Sequence, residues 1–198
     1  DKRYYRLINR ANTIEPILEK KTINHENSFE KFKSIFLSNN VSHESYFDQM
    51  THFDFKTLLP SLLQVEDRMS MAHGLESRVP FLDHPLIELV ATIPSNIKFK
   101  NGELKRILKN TFSNRIPNSI KNRKDKMGFP VPLNLWLKQG GPARDFIGDT
   151  LGSTLARTRP YLSKDFSIDT ALNTDNMYGR NLWALLSLEL WQSKFIDL

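Results

Sequence analysis

The stretch RKDKMGFPVP, Arg123 to Pro132, sets three cations around one acid and runs straight into a glycine, a phenylalanine and two prolines. Cations crowded beside a stiff apolar turn are either a solvated bend or a group aimed at a negative ligand. A second stretch, VEDRMSMAHGLESRVPFLDHPL from Val65 to Leu86, carries Asp67 and Arg68 on an amphipathic segment that stops at Gly74. Glu76, Arg78 and Asp83 follow, threaded through the apolar Val79-Pro80-Phe81-Leu82. Charges alternating so closely with apolar side chains are expected either to pair in a buried network or to line a polar cleft.

Other chemistries are absent from the sequence. It holds no G-x-G-x-x-G, no G-x-x-x-x-G-K-[ST], no H-E-x-x-H and no G-x-S-x-G. The five histidines, His25, His43, His52, His73 and His84, lack metal-ligand spacing, so no metal site is expected within the chain. There are no cysteines, which excludes a disulfide scaffold, a thiolate metal site and a cysteine nucleophile here. Positive charge is concentrated: Lys98 to Lys126 contains ten Lys or Arg against two acids, whereas the rest of the chain is slightly acidic. That segment would suit phosphate groups or a nucleic-acid backbone, or would simply be a solvated basic face.

The elements that must position these residues read as helices. The 198 residues, 39% hydrophobic and 25% charged, fit one globular domain or a large piece of one rather than a disordered chain. NSFEKFKSIFL shows a capping-box pattern, Asn27 with Glu30, and sets Phe29, Phe32 and Phe36 on one face. PSLLQVEDRMSMAHG places Pro60 in a first turn and Gly74 past the end, with Leu62, Val65, Met69 and Ala72 at core spacing. HPLIELVATIP is a short helix ended by Pro94. GELKRILKNTF, entered through an Asn101-Gly102 turn, turns Leu104, Ile107, Leu108 and Phe112 inward. The last helix, GRNLWALLSLELWQSKFIDL, has so broad an apolar arc that burial on most sides is expected. Segments 38–52, 113–135 and 156–178 read as looser, and no strand pattern emerges. The fold class is mainly α. No apolar run approaches 18 residues and no signal-peptide pattern is present, which makes a soluble cytoplasmic protein the default. Because the chain opens on Asp1 and not Met, a fragment of a longer protein is expected.

Four blocks in order, VEDRMSMAHGLESRVPFLD, GELKRILKNTF, IPNSIKNRKDKMGFPVPLNLWL and GRNLWALLSLELWQSKFID, resemble the carboxy-terminal half of the glutamine-hydrolysing asparagine synthetases. They cover most of residues 53–197, while the opening residues match only loosely. The resemblance implies one helical segment over 1–198, with a variable lead-in at 1–52, a core motif region at 53–138 and terminal helices at 139–198. It would be the trailing part of an adenine-nucleotide α-hydrolase-type α/β domain whose parallel sheet lies upstream.

The same resemblance implies a chemistry for the parent protein. ATP and Mg²⁺ would serve to adenylate a carboxylate, aspartate in the type enzyme, and glutamine-derived ammonia would displace AMP to leave an amide. The family's Ser-Gly-Gly-x-Asp-Ser and Ser-Gly-Glu-Gly-x-Asp-Glu loops, and its amino-terminal nucleophilic cysteine, precede the matching region. Partners would therefore be an upstream glutaminase domain and the ATP-binding half of the same protein, and the chain alone would be inactive and hold no cofactor. Lys126 corresponds to a lysine placed near the ATP phosphates and the acyl-adenylate. Its ammonium would neutralise charge on pyrophosphate and on the pentavalent phosphorus. Gly128 would permit close approach, Pro130 and Pro132 would stiffen the loop, and Arg123 would steer phosphate. Asp67, Arg68, Glu76, Arg78 and Asp83 match charged positions of the family's central motif and would support the cleft. Gln64 and Val65 depart from the family's usual lysine and arginine, which leaves the acceptor carboxylate open. The competing reading is a helical nucleic-acid- or protein-interaction module using the 98–126 segment, with Phe99 and Phe112 as its few aromatics. A third is a degenerate homologue kept as a scaffold.

Overall fold

A computed structural model describes residues 1–9, 11–125, 131–175 and 179–197. In chain order the helices are α1 (Lys2–Ile8), α2 (Ala11–Ile14), α3 (His25–Phe36), α4 (Tyr46–Lys56), α5 (Leu58–Met71), α6 (His84–Thr92) and α7 (Ser95–Lys98). They continue with α8 (Arg106–Thr111), α9 (Asn118–Lys121), α10 (Leu133–Lys138), α11 (Pro142–Gly152), α12 (Thr154–Arg157), α13 (Ile168–Thr174) and α14 (Arg180–Phe195). Among the described residues there is no strand, only the isolated bridges Leu18–Leu162 and Lys100–Glu103. The mainly α reading holds for this chain.

The chain divides into two compact units. Unit 1 comprises Phe29–Lys126 with Asp1, and unit 2 comprises Lys2–Ser28 with Met127–Leu198.

Unit 1 is organised by aromatic side chains. Phe32 and Phe36 are buried, their rings 4.9 Å apart, and Phe53 of α4 packs 4.9 Å from Phe32. Phe47 stacks on Phe99 at 5.4 Å. The ammonium of Lys98 sits 3.0 Å from Asp48 with its side chain only 12% exposed, and lies over the Phe47 ring. One cation of the basic segment is therefore structural. The start of α3 is capped by Asn24, whose Oδ1 accepts from Asn27 N–H at 2.8 Å. Asn27 is thus inside the first turn and not at the cap. α4 occupies much of a segment that reads as loose, and Ser45 caps it by accepting from Asp48 N–H. α6 ends ahead of Pro94 as the sequence predicts. Asn101 and Gly102 both take positive φ, 54° and 76°, forming a tight turn closed by the Lys100–Glu103 bridge. Lys105 is also left-handed, which delays α8 to Arg106. Leu104 and Phe112 are 50% and 41% exposed and do not turn inward.

Unit 2 has a closed core of Ile17, Leu137, Ile147, Leu151, Leu162, Phe166, Ala171, Leu172, Leu182, Leu185 and Leu186. α14 contributes one face to it. The other face leaves Trp183, Leu190, Trp191 and Phe195 exposed, so burial on most sides is not what this helix does. Asn134 is buried and donates to the carbonyls of Leu172 and Asp175. Asp175 in turn accepts from the N–H groups of Asn181 and Leu182, satisfying the first turn of α14. Gly179 is required by this packing. Its φ is +60°, and a Cβ there would meet the Asn134 backbone and the Leu133 side chain at 3.2 Å. α13, within another segment read as loose, is capped by Ser167.

Candidate active-site segment

The motif residues of Val65–Leu86 all belong to unit 1. α5 carries Asp67 and Arg68, and its carboxyl end is closed by Gly74 at φ +67° with Leu75 N–H bonded to the Ser70 carbonyl. Ser77 in the following loop donates to Glu66 Oε1 at 2.9 Å, tying the loop back to the helix. Glu76 and Arg78 pair at 3.0 Å, with side chains 66% and 80% exposed. Asp83 begins α6 without accepting a capping hydrogen bond.

Of the two arrangements that the alternation of charge and apolar residues allows, the buried network is not the one found among the described residues. Asp67, Arg68, Glu76, Arg78 and Asp83 are all exposed, and among the described residues the side chains of Asp67, Arg68 and Asp83 have no ion-pair partner. The apolar positions beside them are exposed too: Leu62, Val65 and Met69 at 57%, 63% and 63%, with Ala72 likewise, in contrast to the core role their spacing predicts. Helical spacing specifies a stripe, and a stripe becomes core only where another element covers it.

The second stretch is described up to Asp125. Arg123 grips Asp125 with Nε to Oδ1 at 3.1 Å and Nη2 to Oδ2 at 3.0 Å. The guanidinium holds the Asp125 carboxyl below its ordinary value, chiefly through these hydrogen bonds. Asp125 is the partner that sequence reading left out, although it stands two residues away. Lys126, Gly128 and Pro130 lie outside the described residues.

In the basic segment, Arg106 is engaged by the carbonyls of Asn96 and Ile97 and by Glu103. With Lys98 on Asp48 and Arg123 on Asp125, the segment is less of a free positive surface than its composition implies. Phe99 is committed to its stack with Phe47, which leaves Phe112 as its exposed aromatic. No group of three or more His, Asp or Glu among the described residues is placed to hold a metal ion. No described helix is long and apolar enough to cross a membrane.

A further titratable cluster, in unit 2, escaped the sequence reading. Arg159 is 7% exposed. It donates to both oxygens of Glu189 at 2.8 Å and to Asp197. Tyr161 donates to Glu189 at 3.1 Å. Arg159 holds Glu189 and Asp197 below the ordinary carboxylate range, and burial pushes the Tyr161 hydroxyl up to about 12. The one local signal was Glu189 itself, which continues the buried face formed by Leu182, Leu185 and Leu186.

A helical chain with an exposed, charge-rich motif segment defines the class only loosely, and comparison with known proteins narrows it. The family model for asparagine synthase matches residues 2–193, and the chain belongs to that family. Among its relatives is asparagine synthetase [glutamine-hydrolyzing] 1 of Bacillus subtilis, 30% identical over 97% of this chain and 30% of its own length. A putative asparagine synthetase [glutamine-hydrolyzing] of Mycobacterium tuberculosis is 29% identical over 75% of this chain and 23% of its own length. The human asparagine synthetase [glutamine-hydrolyzing] is 41% identical over 36% of this chain and 14% of its own length. The chain thus spans under a third of the length of each of these relatives. No solved structure matches it.

Proposed function

We propose that this chain is the helical portion of an ATP-dependent ligase that makes an amide from a carboxylate, with aspartate as the acceptor and asparagine as the product. The observation that carries the reading is the family match, which runs through both units from residue 2 to residue 193. The exposed charged motif of α5–α6 supports it. Side chains left in water here are available to line a cleft completed by other parts of the protein.

In this reading a carboxylate oxygen attacks the α-phosphorus of ATP, the bond to the bridging oxygen of pyrophosphate breaks, and an acyl-adenylate forms. Ammonia, released from glutamine by another domain, then attacks the acyl carbon and AMP leaves. Magnesium would shield phosphate charge when bound with the nucleotide, and none of the described residues is assigned to it. Lys126 is given the task of neutralising charge on the departing pyrophosphate and on the phosphorus as it becomes pentavalent. Gly128 admits the phosphates, and the prolines fix the loop. Arg123, neutralised by Asp125, acts on the loop's shape more than on phosphate. Asp67, Arg68, Glu76, Arg78 and Asp83 support the cleft wall.

ATP–pyrophosphate exchange tests this. A chimera in which this chain replaces the matched segment of the Bacillus subtilis relative should catalyse aspartate-dependent exchange, and the isolated chain should not. Lys126→Ala in the chimera should cut exchange by at least 100-fold while glutamine hydrolysis persists. Exchange near the parent rate in that variant would remove Lys126 from the mechanism.

A further inference from the structure

Asn101-Gly102 has no part in the proposed function. It is the single Asn-Gly pair of the sequence, and it lies within the basic segment. Both residues are exposed and both take left-handed φ, 54° and 76°. The turn is closed outside them, where Glu103 N–H donates to the Lys100 carbonyl at 3.0 Å. Among the described residues, the Asn101 side chain, the Asn101 carbonyl and the Gly102 N–H have no hydrogen-bond partner. A Cβ at Gly102 would meet nothing within 4 Å. The peptide plane between the two residues can therefore rotate without breaking a hydrogen bond, and glycine accepts either sign of φ. Asn27 is the contrast. It is also exposed and is followed by the small Ser28, but Ser28 N–H is bonded to the Asn24 carbonyl in the first turn of α3.

We infer that Asn101 is a site of spontaneous covalent modification, at which the side-chain amide is lost and a mixture of aspartate and isoaspartate takes its place. The Gly102 backbone nitrogen, once deprotonated, attacks Asn101 Cγ. The new N–C bond closes a cyclic imide, the Cγ–Nδ2 bond breaks, and ammonia leaves with the proton that the backbone nitrogen gave up. Water then adds at either imide carbonyl. Opening the ring on the side-chain side restores the original backbone and leaves aspartate, and opening it on the main-chain side leaves isoaspartate. Water is the only co-reactant. Lys100 and Lys105, both exposed and without an ion-pair partner among the described residues, flank the pair and favour the anionic nitrogen. The consequence is local. The ten cations between Lys98 and Lys126 would stand against a third acid in addition to Glu103 and Asp125. Isoaspartate would also insert a methylene into the backbone inside the Lys100–Glu103 closure, just ahead of α8.

Ageing the chain at mildly alkaline pH tests this. Peptide mass spectrometry follows the mass gain of an amide turned acid at each asparagine, and an isoaspartyl methyltransferase with labelled S-adenosylmethionine marks isoaspartate. Asn101 should convert at least about 10-fold faster than Asn27, and its peptide should take up the methyl label. Gly102→Ala should slow the conversion about 10-fold, because a Cβ crowds the attacking nitrogen. Alanine at positive φ also strains the turn, so the unaltered chain is aged in urea as well. Conversion in the folded chain within about 10-fold of the rate in urea is the result expected of a turn open to the reaction. A folded chain slower than that would overturn the inference, as would an Asn101 rate short of its margin over Asn27 or an unchanged rate in Gly102→Ala. So would acid formed without methyl label, since direct hydrolysis of the side-chain amide gives aspartate alone.

Discussion

Unit 2 closes a core from α10, α11, α13 and α14 and locks the end of the chain with a buried arginine that serves two carboxylates. Unit 1, of similar length, buries only Phe32, Phe36 and Gln49 among its described residues, and leaves α5 with its apolar stripe in water. The charged stretch Val65–Leu86 is on the weakly buried unit. Under the proposed function this is the expected cost of a cleft wall, since side chains kept in water to meet a ligand contribute little to the fold of their own unit. The contrast separates a unit held by its own core from one that leaves its apolar stripe in water, and it can be attacked at three depths.

The largest effect is expected at Arg159. Arg159→Ala leaves Glu189 and Asp197 without their shared cation, and breaking a buried pair in this way costs about 3–5 kcal/mol. Urea unfolding followed by tryptophan fluorescence reads unit 2 directly, because Trp136, Trp183 and Trp191 all lie there. The pH dependence has a definite sign. Both carboxyls are held below their ordinary values in the folded state. Their contribution is therefore complete above the unfolded-state values near pH 4–5, and is lost as pH falls through the lower folded ones. Arg159→Met should flatten that acid slope. A loss under about 1 kcal/mol with the acid slope intact would show that the cluster is ornamental to unit 2.

Next in size is a matched pair of leucines. Leu182 is 0% exposed in the core of unit 2, and Leu62 is 57% exposed on the apolar stripe of α5 in unit 1. Leu182→Ala should cost about 2–5 kcal/mol. Leu62→Ala in the isolated chain should stay within about 0.5 kcal/mol. Thermal unfolding by far-ultraviolet circular dichroism compares the two, and equal losses would mean that unit 1 has a core which the exposure of its stripe denies.

The same pair marks what was legible in the sequence. Helix α6 and the stop at Gly74 could be read because Pro and Gly act locally, on the backbone that carries them. The Phe32–Phe36 face also came through, since an element close in sequence, α4, supplies Phe53 to cover it. Leu62, Val65 and Met69 have equally good spacing, but periodicity states only which residues share a side, and what covers that side is a tertiary fact. α4 was missed because its Asp, Gln, Thr and His residues dilute the apolar signal, while its cap at Ser45 is a single hydroxyl. The Arg159 cluster joins residues 30 and 38 positions apart, beyond any local pattern. As for the candidate site, the blocks that identify the family were visible at once. Of the two arrangements open to their charges, a buried network or a polar cleft, only the buried network could be checked within this chain, and the exposure of these residues excludes it.

The smallest effect probes the modest interior that unit 1 does have. His52 on α4 is partly buried, with Nε2 2.9 Å from Ser38 Oγ. Burial, and then the nearby Lys56 ammonium, move its ionisation below the usual 6.5. Because the folded value is the lower one, the neutral ring supports the fold above about pH 6.5, and that support is lost as pH falls and the unfolded chain takes up the proton. In a nuclear magnetic resonance titration the His52 ring should titrate with a midpoint below 6.5. Lys56→Gln should recover only the minor part of the displacement, since desolvation is the larger cause. A midpoint at or above 6.5 would mean that the His52 ring is not desolvated where it meets Ser38. The interior of unit 1 would then be confined to Phe32, Phe36 and Gln49.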